Sequence, residues 1–144
     1  MSINQISVFL ENRPGALYAM TGVLAKNGID MRAFSLAEAS DFGIARIIVN
    51  DVYKTTTALK EAGYVHNITQ VLGVAVADVP GGLNETLKVL SDAKINVEYM
   101  YAFLGGKKGK SAYMIFRVTD NAKAAAALSA RGIKLVESEE LSKL

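Results

Sequence analysis

The sequence lacks cysteine and contains a single histidine, His66. Disulfides and thiolate metal sites are therefore excluded, and neither a histidine cluster nor a histidine relay can be built. Positive and negative charges nearly balance, at a formal net charge of +2, so charge indicates no preference for polyanions. These absences leave few means of catalysis, and the sequence predicts a protein that is not an enzyme, with no catalytic residue, no metal and no cofactor.

Long apolar runs are also missing. No stretch approaches the roughly 20 apolar residues that span a bilayer, and the N-terminus lacks the basic start and apolar run of a signal peptide. We therefore expect a cytoplasmic protein without a membrane partner. Tyr99, Tyr101 and Phe103 place aromatics on one strand, but arginine and lysine are not interleaved with them, so no nucleic-acid partner is expected.

What the sequence does contain is an internal repeat. Residues 8–35 match residues 74–101 at an offset of 66, and residues 51–63 match residues 120–132 at an offset of 69. The change of offset predicts a three-residue insertion within Gly105–Lys110. The matched pairs include Val8/Val74, Pro14/Pro80, Gly15/Gly81, Leu17/Leu83, Leu24/Leu90, Ile29/Ile95, Asp51/Asp120, Lys54/Lys123, Leu59/Leu128 and Gly63/Gly132.

Each copy has the periodicity of a βαββαβ unit. In the first copy, alternating apolar residues precede Pro14 and Gly15, and apolar residues then recur at helical spacing up to Asn27 and Gly28. Strands are predicted over 31–38 and 44–50, a second helix over 52–62, and a fourth strand from about Thr69 into the second copy. The predicted fold class is α+β, with two tandem ferredoxin-like domains over 1–70 and 71–144. Each has an antiparallel sheet with both helices on one face.

The strand–helix corners carry the most informative motifs. Asn12-Arg13-Pro14-Gly15-Ala16-Leu17 and Asp78-Val79-Pro80-Gly81-Gly82-Leu83, followed by Gly28-Ile29-Asp30 and Lys94-Ile95-Asn96, resemble ACT domains, which are small regulatory modules that bind amino acids. The first copy is most similar to the serine-binding ACT domain of 3-phosphoglycerate dehydrogenases. Those relatives carry a histidine where this chain has Leu10 and Val76, so the resemblance implies an amino-acid ligand without naming serine. It implies a free-standing regulator, with an enzyme of amino-acid metabolism as a further partner.

The corner residues also suit an amino acid on physical grounds. A helix N-terminus offers free N–H groups and partial positive charge to a carboxylate, and small residues let a ligand approach the main chain. Two interpretations remain at this point: Asn12 and Asp78 bind the ligand, or they only cap the helices. The candidate ligand-binding residues are Asn12, Arg13, Gly15, Ala16, Leu17, Asp30, Met31, Asp78, Gly81, Gly82, Leu83, Asn96 and Val97.

Two expectations follow for the ligand site. We expect the ligand where the first corner of one copy meets the second strand of a neighbouring copy. The first corner should hold a carboxylate more tightly, because Asp78 at the second corner repels it. A regulatory subunit of the same fold that binds no small molecule is the alternative.

Strand alternation also predicts which residues face the helices. The helix-covered face should take Ile6, Val8, Leu10, Ala45, Ile47 and Val49, and in the second copy Val74, Val76, Met114, Phe116 and Val118. The other face should carry Phe9, Ile44, Ile48, Tyr99, Tyr101, Phe103, Tyr113 and Ile115. Because so apolar a face is rarely left in water, we expect a homodimer packed through it. The alternatives are that a partner enzyme covers this face, or that the two copies of one chain fold face to face and bury it.

Overall fold

A computed structural model describes residues 2–104 and 111–143. Compactness divides the chain into a first unit, Asn4–Thr69, and a second unit made of the residues up to Ile3 together with the chain from Gln70 onward. Strand β4 crosses this boundary without a break. The predicted insertion at Gly105–Lys110 lies outside the described residues.

The first unit follows the predicted element order. Its sheet has the strand order β2-β3-β1-β4, with β1 and β2 both antiparallel to β3. The fourth strand begins at His66, earlier than the predicted start at about Thr69. The elements are β1 Ile3–Glu11, α1 Ala16–Lys26, β2 Met31–Ala39, β3 Phe42–Val49, α2 Val52–Glu61 and β4 His66–Ala77.

The second unit repeats the plan, with the last part of β4 as its first strand. Its strand order is β7-β4-β6-β5, which is the order of the first unit with each strand replaced by its equivalent. A short fifth helix, which the sequence analysis did not predict, follows the last strand. The elements are α3 Gly82–Asp92, β5 Val97–Ala102, β6 Ser111–Val118, α4 Asn121–Ala130, β7 Leu135–Val136 and α5 Ser138–Leu141. The predicted α+β fold of two ferredoxin-like copies is confirmed.

Each unit has its own apolar core between the helices and one face of the sheet. In the first unit, Met20 and Leu24 of α1 and Leu59 of α2 pack on the sheet. Leu90 of α3 and Leu128 of α4 do the same in the second unit. All predicted sheet residues of the helix-covered face lie in these clusters, with Met114 partly buried at the margin. The predicted assignment of this face is therefore confirmed.

The opposite face differs from expectation. Four of its apolar residues are already buried in a single chain: Ile48, Tyr101, Phe103 and Ile115 expose 8% or less of their surface. The other four are half-buried: Phe9, Ile44, Tyr99 and Tyr113. The expectation that this face is left uncovered in one chain is therefore wrong. A homodimer cannot be argued from apolar exposure there.

The repeated residues carry out the same structural task in both copies. Asp51 caps α2 by accepting a hydrogen bond from the backbone N–H of Lys54 at 2.9 Å, and Asp120 caps α4 through Lys123 at 3.0 Å. An acceptor at this position satisfies an N–H that has no partner within the helix. The repeat therefore preserves local structure and not only composition.

Gly82 marks the tightest approach between a helix and a strand end. A Cβ added there would lie 2.0 Å from the carbonyl oxygen of Ala77, a distance that side chains cannot adopt. The equivalent residue of the first copy is Ala16, which already carries a Cβ and is nearly buried. The start of α3 thus lies closer to its strand than the start of α1 does.

We predict that Gly82→Ala destabilises the fold, because the methyl group forces α3 away from β4. Overpacking of this kind costs about 1–3 kcal/mol. Gly22→Ala in α1 is the matched control, since its Cβ would meet nothing within 4 Å. There the helix propensity of alanine should stabilise the protein by roughly 0.5–1 kcal/mol. Urea unfolding of both variants measures the free energies, and equal effects would contradict the close approach.

Candidate functional site

The first strand–helix corner leaves the N-terminus of α1 open. Gly15 occupies the N-cap position with φ +86°, and no side chain caps the helix. A Cβ on Gly15 would meet no atom within 4 Å other than those of its chain neighbours, so there is open space beside the turn. The first turn contains no acidic residue. The N–H of Ala16 donates to the carbonyl oxygen of Arg13 at 3.3 Å, and the N–H of Leu17 and the helix dipole are available to an anion.

Asn12 does not cap this helix. Its side-chain amide donates to the carbonyl oxygen of Ser40 at 3.0 Å, and its backbone N–H donates to the carbonyl oxygen of Asp41 at 3.2 Å. Both bonds hold the corner against the turn between β2 and β3. The capping interpretation is thus wrong for Asn12, which fixes the position of the corner relative to the hairpin.

Two cavities flank the start of α1, and both include Arg13 and Ala16 in their lining. The smaller, of about 90 Å³, opens towards β2 and also contacts Asn12 and Leu17. The larger, of about 340 Å³, opens on the other side. The guanidinium of Arg13 forms an exposed ion pair with Glu11, so it stands at the mouth of both cavities without being buried.

The structure adds hairpin residues that the sequence analysis missed. Leu36 and Glu38 line the smaller cavity, and Asp41 and Phe42 line the larger one. The strand register explains their position: Glu11 at the end of β1 pairs with Phe42 at the start of β3. Counting antiparallel pairs from the corner would have identified this hairpin, because it must lie beside the end of β1.

Asp30 and Met31 lie at the other end of the same sheet. They precede and begin β2, a strand of nine residues, so they are separated from its hairpin end by roughly 27 Å. The carboxylate of Asp30 accepts a hydrogen bond from Arg32 at 3.0 Å, and Met31 packs against the core. Within one copy, the structure does not bring these predicted site residues to the corner.

The second corner has the same turn but a different surface. Gly81 adopts φ +83° at the N-cap, yet Gly82 is pressed against Ala77 and Leu83 packs partly into the core. Glu85 adds a carboxylate to the first turn of α3, beyond the exposed Asp78 of the preceding loop. Two acidic side chains near one helix N-terminus oppose the binding of an anion there.

Asn96 and Val97 correspond to Asp30 and Met31. The backbone N–H of Asn96 donates to the hydroxyl of Thr119 at 3.3 Å, and Thr119 donates its own N–H to the carbonyl oxygen of Asn96. Asn96 directly precedes β5 and Val97 begins it, so both lie away from the second corner. The predicted site residues therefore form two clusters in each copy, one at each end of the sheet.

The described residues were also compared with the requirements of a metal site and of a membrane span. Within residues 2–104 and 111–143, no three acidic or histidine side chains come together as metal ligands. No helix in that part of the chain is long and apolar enough to cross a membrane.

We predict that Asn12→Ala frees the corner from the hairpin without unravelling α1. The exposed hydrogen bond to Ser40 is worth about 1 kcal/mol or less, so the fold should persist. Amide hydrogen exchange should accelerate at residue 12, whose N–H bonds Asp41, and stay unchanged at Ala19 in α1. Asp78→Ala is the control in the second copy. Faster exchange at Ala19 alone would instead indicate a helix cap.

A family model described as an ACT domain pair matches residues 1–144. Among solved structures, a protein of Bacteroides thetaiotaomicron is 38% identical, with a TM-score of 0.91, and the match covers 100% of this chain and 98% of that one. The regulatory subunit of aspartate kinase from Thermus thermophilus, solved without ligand, is 15% identical, with a TM-score of 0.64 and 90% of each chain covered.

The corresponding subunit from Thermus flavus is 16% identical, with a TM-score of 0.63 and 88% of each chain covered. At these identities the kinase subunits support the fold alone. No curated protein matches the sequence significantly. The family model spans the whole chain and the fold agrees with it in both copies, so the chain belongs to the ACT domain pair family.

Proposed function

We propose that this protein is a cytoplasmic amino-acid sensor without catalytic activity of its own, which regulates an enzyme of amino-acid metabolism. The observation that carries the proposal is the open corner of the first copy. There the start of α1 has no side-chain cap, no acidic residue in its first turn and open space beside Gly15. A carboxylate fits this place because it accepts from the free N–H groups and is favoured by the helix dipole.

The ligand carboxylate in this proposal lies at the N–H group of Leu17, with Arg13 close by, since the N–H of Ala16 already donates to the carbonyl oxygen of Arg13 at 3.3 Å. Glu38 receives the ammonium group, since it lines the same small cavity as Asn12 and Leu17. Opposite charges at the two ends of a small cavity match an α-amino acid. The resemblance to aspartate kinase regulatory subunits supports a regulatory role at the level of the fold.

The second corner is proposed as the weaker site for a carboxylate. Asp78 and Glu85 surround its helix N-terminus with negative charge, and Gly82 brings the helix against the strand. Gly81 and Leu83 remain proposed ligand-binding residues of this site. The carboxylate of a ligand bound there would be repelled by the carboxylates of Asp78 and Glu85.

A thermal-shift screen with the twenty amino acids tests the function directly. A ligand that binds only the folded state raises the melting temperature by mass action. A subunit of the same fold that recruits only a protein partner would show no shift with any of them.

We predict that Gly15→Val lowers the affinity for the amino acid found in that screen by at least about tenfold, the equivalent of 1.4 kcal/mol. The side chain would fill the space in front of α1. Gly81→Val is the matched control, because Gly81 has nearly the same φ and equally open surroundings. Gly81→Val introduces the same backbone strain but should leave the affinity at the first corner unchanged. Calorimetry on both variants measures the affinities, and equal losses would contradict unequal corners.

The proposal includes a homodimer, on a different argument from the one made from sequence. Asp30 and Met31 lie too far from the corner of their own copy, so they can approach a bound ligand only from a neighbouring copy. A second chain is the simplest source, through a two-fold axis. In the second copy, Asn96 and Val97 are placed in the same way.

We predict a light-scattering mass of twice that of one chain, and a loss of about tenfold in affinity for Asp30→Asn, because Asp30 of the neighbouring copy contacts the ligand in this proposal. Glu38→Gln tests whether Glu38, in the same copy as the corner, accepts the ammonium group of the ligand. A monomer in which Asp30→Asn binds normally would contradict the dimer and leave the corner site standing. Tyr101 and Ile115 are unsuitable for charge substitution, since both are buried in one chain.

A further inference from the structure

Asn27 and Gly28 form the only Asn-Gly pair of the sequence. An asparagine deamidates most readily when glycine follows it, because glycine has no side chain to keep its amide nitrogen away from the asparagine side chain. The pair lies at the C-terminal end of α1, with Asn27 as the C-cap residue and Gly28 at φ +66°. It is therefore at the opposite end of that helix from the first corner.

Hydrogen bonds of the helix end engage both groups that would have to react. The side-chain amide of Asn27 donates to the carbonyl oxygen of Val23 at 2.8 Å. The backbone N–H of Gly28 donates to the carbonyl oxygen of Ala25 at 3.1 Å, and the N–H of Ile29 makes a further bond of 3.0 Å to the last turn. Such bonds are typical of a helix that ends at a left-handed glycine. The intact helix end thus holds both the leaving amide and the attacking nitrogen.

The backbone torsion of Asn27 also keeps the two groups apart. Ring closure requires the amide nitrogen of Gly28 to approach Cγ of Asn27, and so to lie on the same side of the main chain as that side chain. At the observed ψ of 7°, this nitrogen lies instead on the side of the backbone nitrogen of Asn27. Because this torsion is part of the helix end, the reaction needs the last turn of α1 to open.

The second copy shows that the fold does not require the pair. Ala93 and Lys94 occupy the equivalent positions at the end of α3, where Lys94 adopts φ +58°. The backbone N–H of Lys94 donates to the carbonyl oxygen of Ser91 at 2.9 Å, which is the counterpart of the bond from Gly28. The same helix end is thus built once with the reactive pair and once without it.

We propose that Asn27 is a deamidation site that the folded chain protects and that reacts when the last turn of α1 opens. The nitrogen of Gly28 gives its proton to water and forms a bond to Cγ of Asn27. The Cγ–Nδ2 bond breaks, and the amide takes a proton from water and leaves as ammonia. Water then hydrolyses one of the two carbonyl groups of the cyclic imide, which yields aspartate or isoaspartate without any oxidation or reduction.

The product differs from asparagine where the helix is most sensitive to charge. A carboxylate at position 27 cannot donate to the carbonyl oxygen of Val23, and it lies beside the negative end of the dipole of α1. Deamidation should therefore leave the last turn of α1 less stable than before. The reaction needs no ligand, so it is independent of the proposed amino-acid site.

Peptide mapping by mass spectrometry measures the reaction. The full chain and a synthetic peptide of residues 21–33 are incubated side by side at mildly alkaline pH, and conversion of Asn27 to the acid is followed with time. We expect the folded chain to react at least about tenfold more slowly than the peptide, and the chain in urea to approach the rate of the peptide. Equal rates in the folded chain and the peptide would overturn the proposal. A reaction that stays slow in urea would overturn it too, because the protection would not come from the fold.

A matched pair of variants distinguishes local opening from unfolding of the whole chain. Ile29 and Ile95 are equivalent residues that expose 8% and 6% of their surface. We expect Ile29→Val to speed the deamidation of Asn27 by roughly two- to tenfold, because losing a buried methyl group weakens the packing beside the turn. Ile95→Val should leave this rate unchanged. Equal acceleration by both variants would indicate reaction through global unfolding, and acceleration by neither would show that the turn does not control the reaction. Either result refutes the proposal.

Discussion

A left-handed glycine at the turn from strand to helix governs much of each copy. Gly15 and Gly81 hold φ values of +86° and +83°, which side-chain-bearing residues rarely adopt. This turn directs the following helix back over the sheet, where its apolar stripe completes the core. Because the N-cap residue is glycine, no side chain satisfies the first N–H groups of the helix. The same constraint therefore builds the core and leaves a place for an anion.

Divergence between the copies has changed what that place can bind. The first copy keeps Ala16 and Ala19 beside the turn, so the start of α1 is uncharged and open. In the second copy, Gly82 lets the helix approach Ala77 closely and Glu85 adds a negative charge. The same framework thus has an uncharged helix start in one copy and an acidic one in the other.

The ends of the sheet matter as much as its faces. The antiparallel register places the β2–β3 hairpin beside the first corner, where Asn12 ties the two together through Ser40 and Asp41. It places Asp30 at the far end, where Arg32 holds its carboxylate. A sensor that uses both ends must therefore combine two copies. Binding at such a site would couple ligand occupancy to association, which is a physical route to regulation.

The sequence by itself determined the two βαββαβ copies and the helix-covered faces. Those features depend on local periodicity and on turn chemistry, both of which repeat visibly along the chain. The burial of Ile48 and Ile115 on the other face could not be predicted, because alternation tells which face a residue occupies but not what covers that face. Only the tertiary structure showed that Asn12 bonds the hairpin, that Glu38 joins the corner and that Asp30 does not. Those facts depend on strand register and on distances between residues far apart in the chain, which no local pattern encodes.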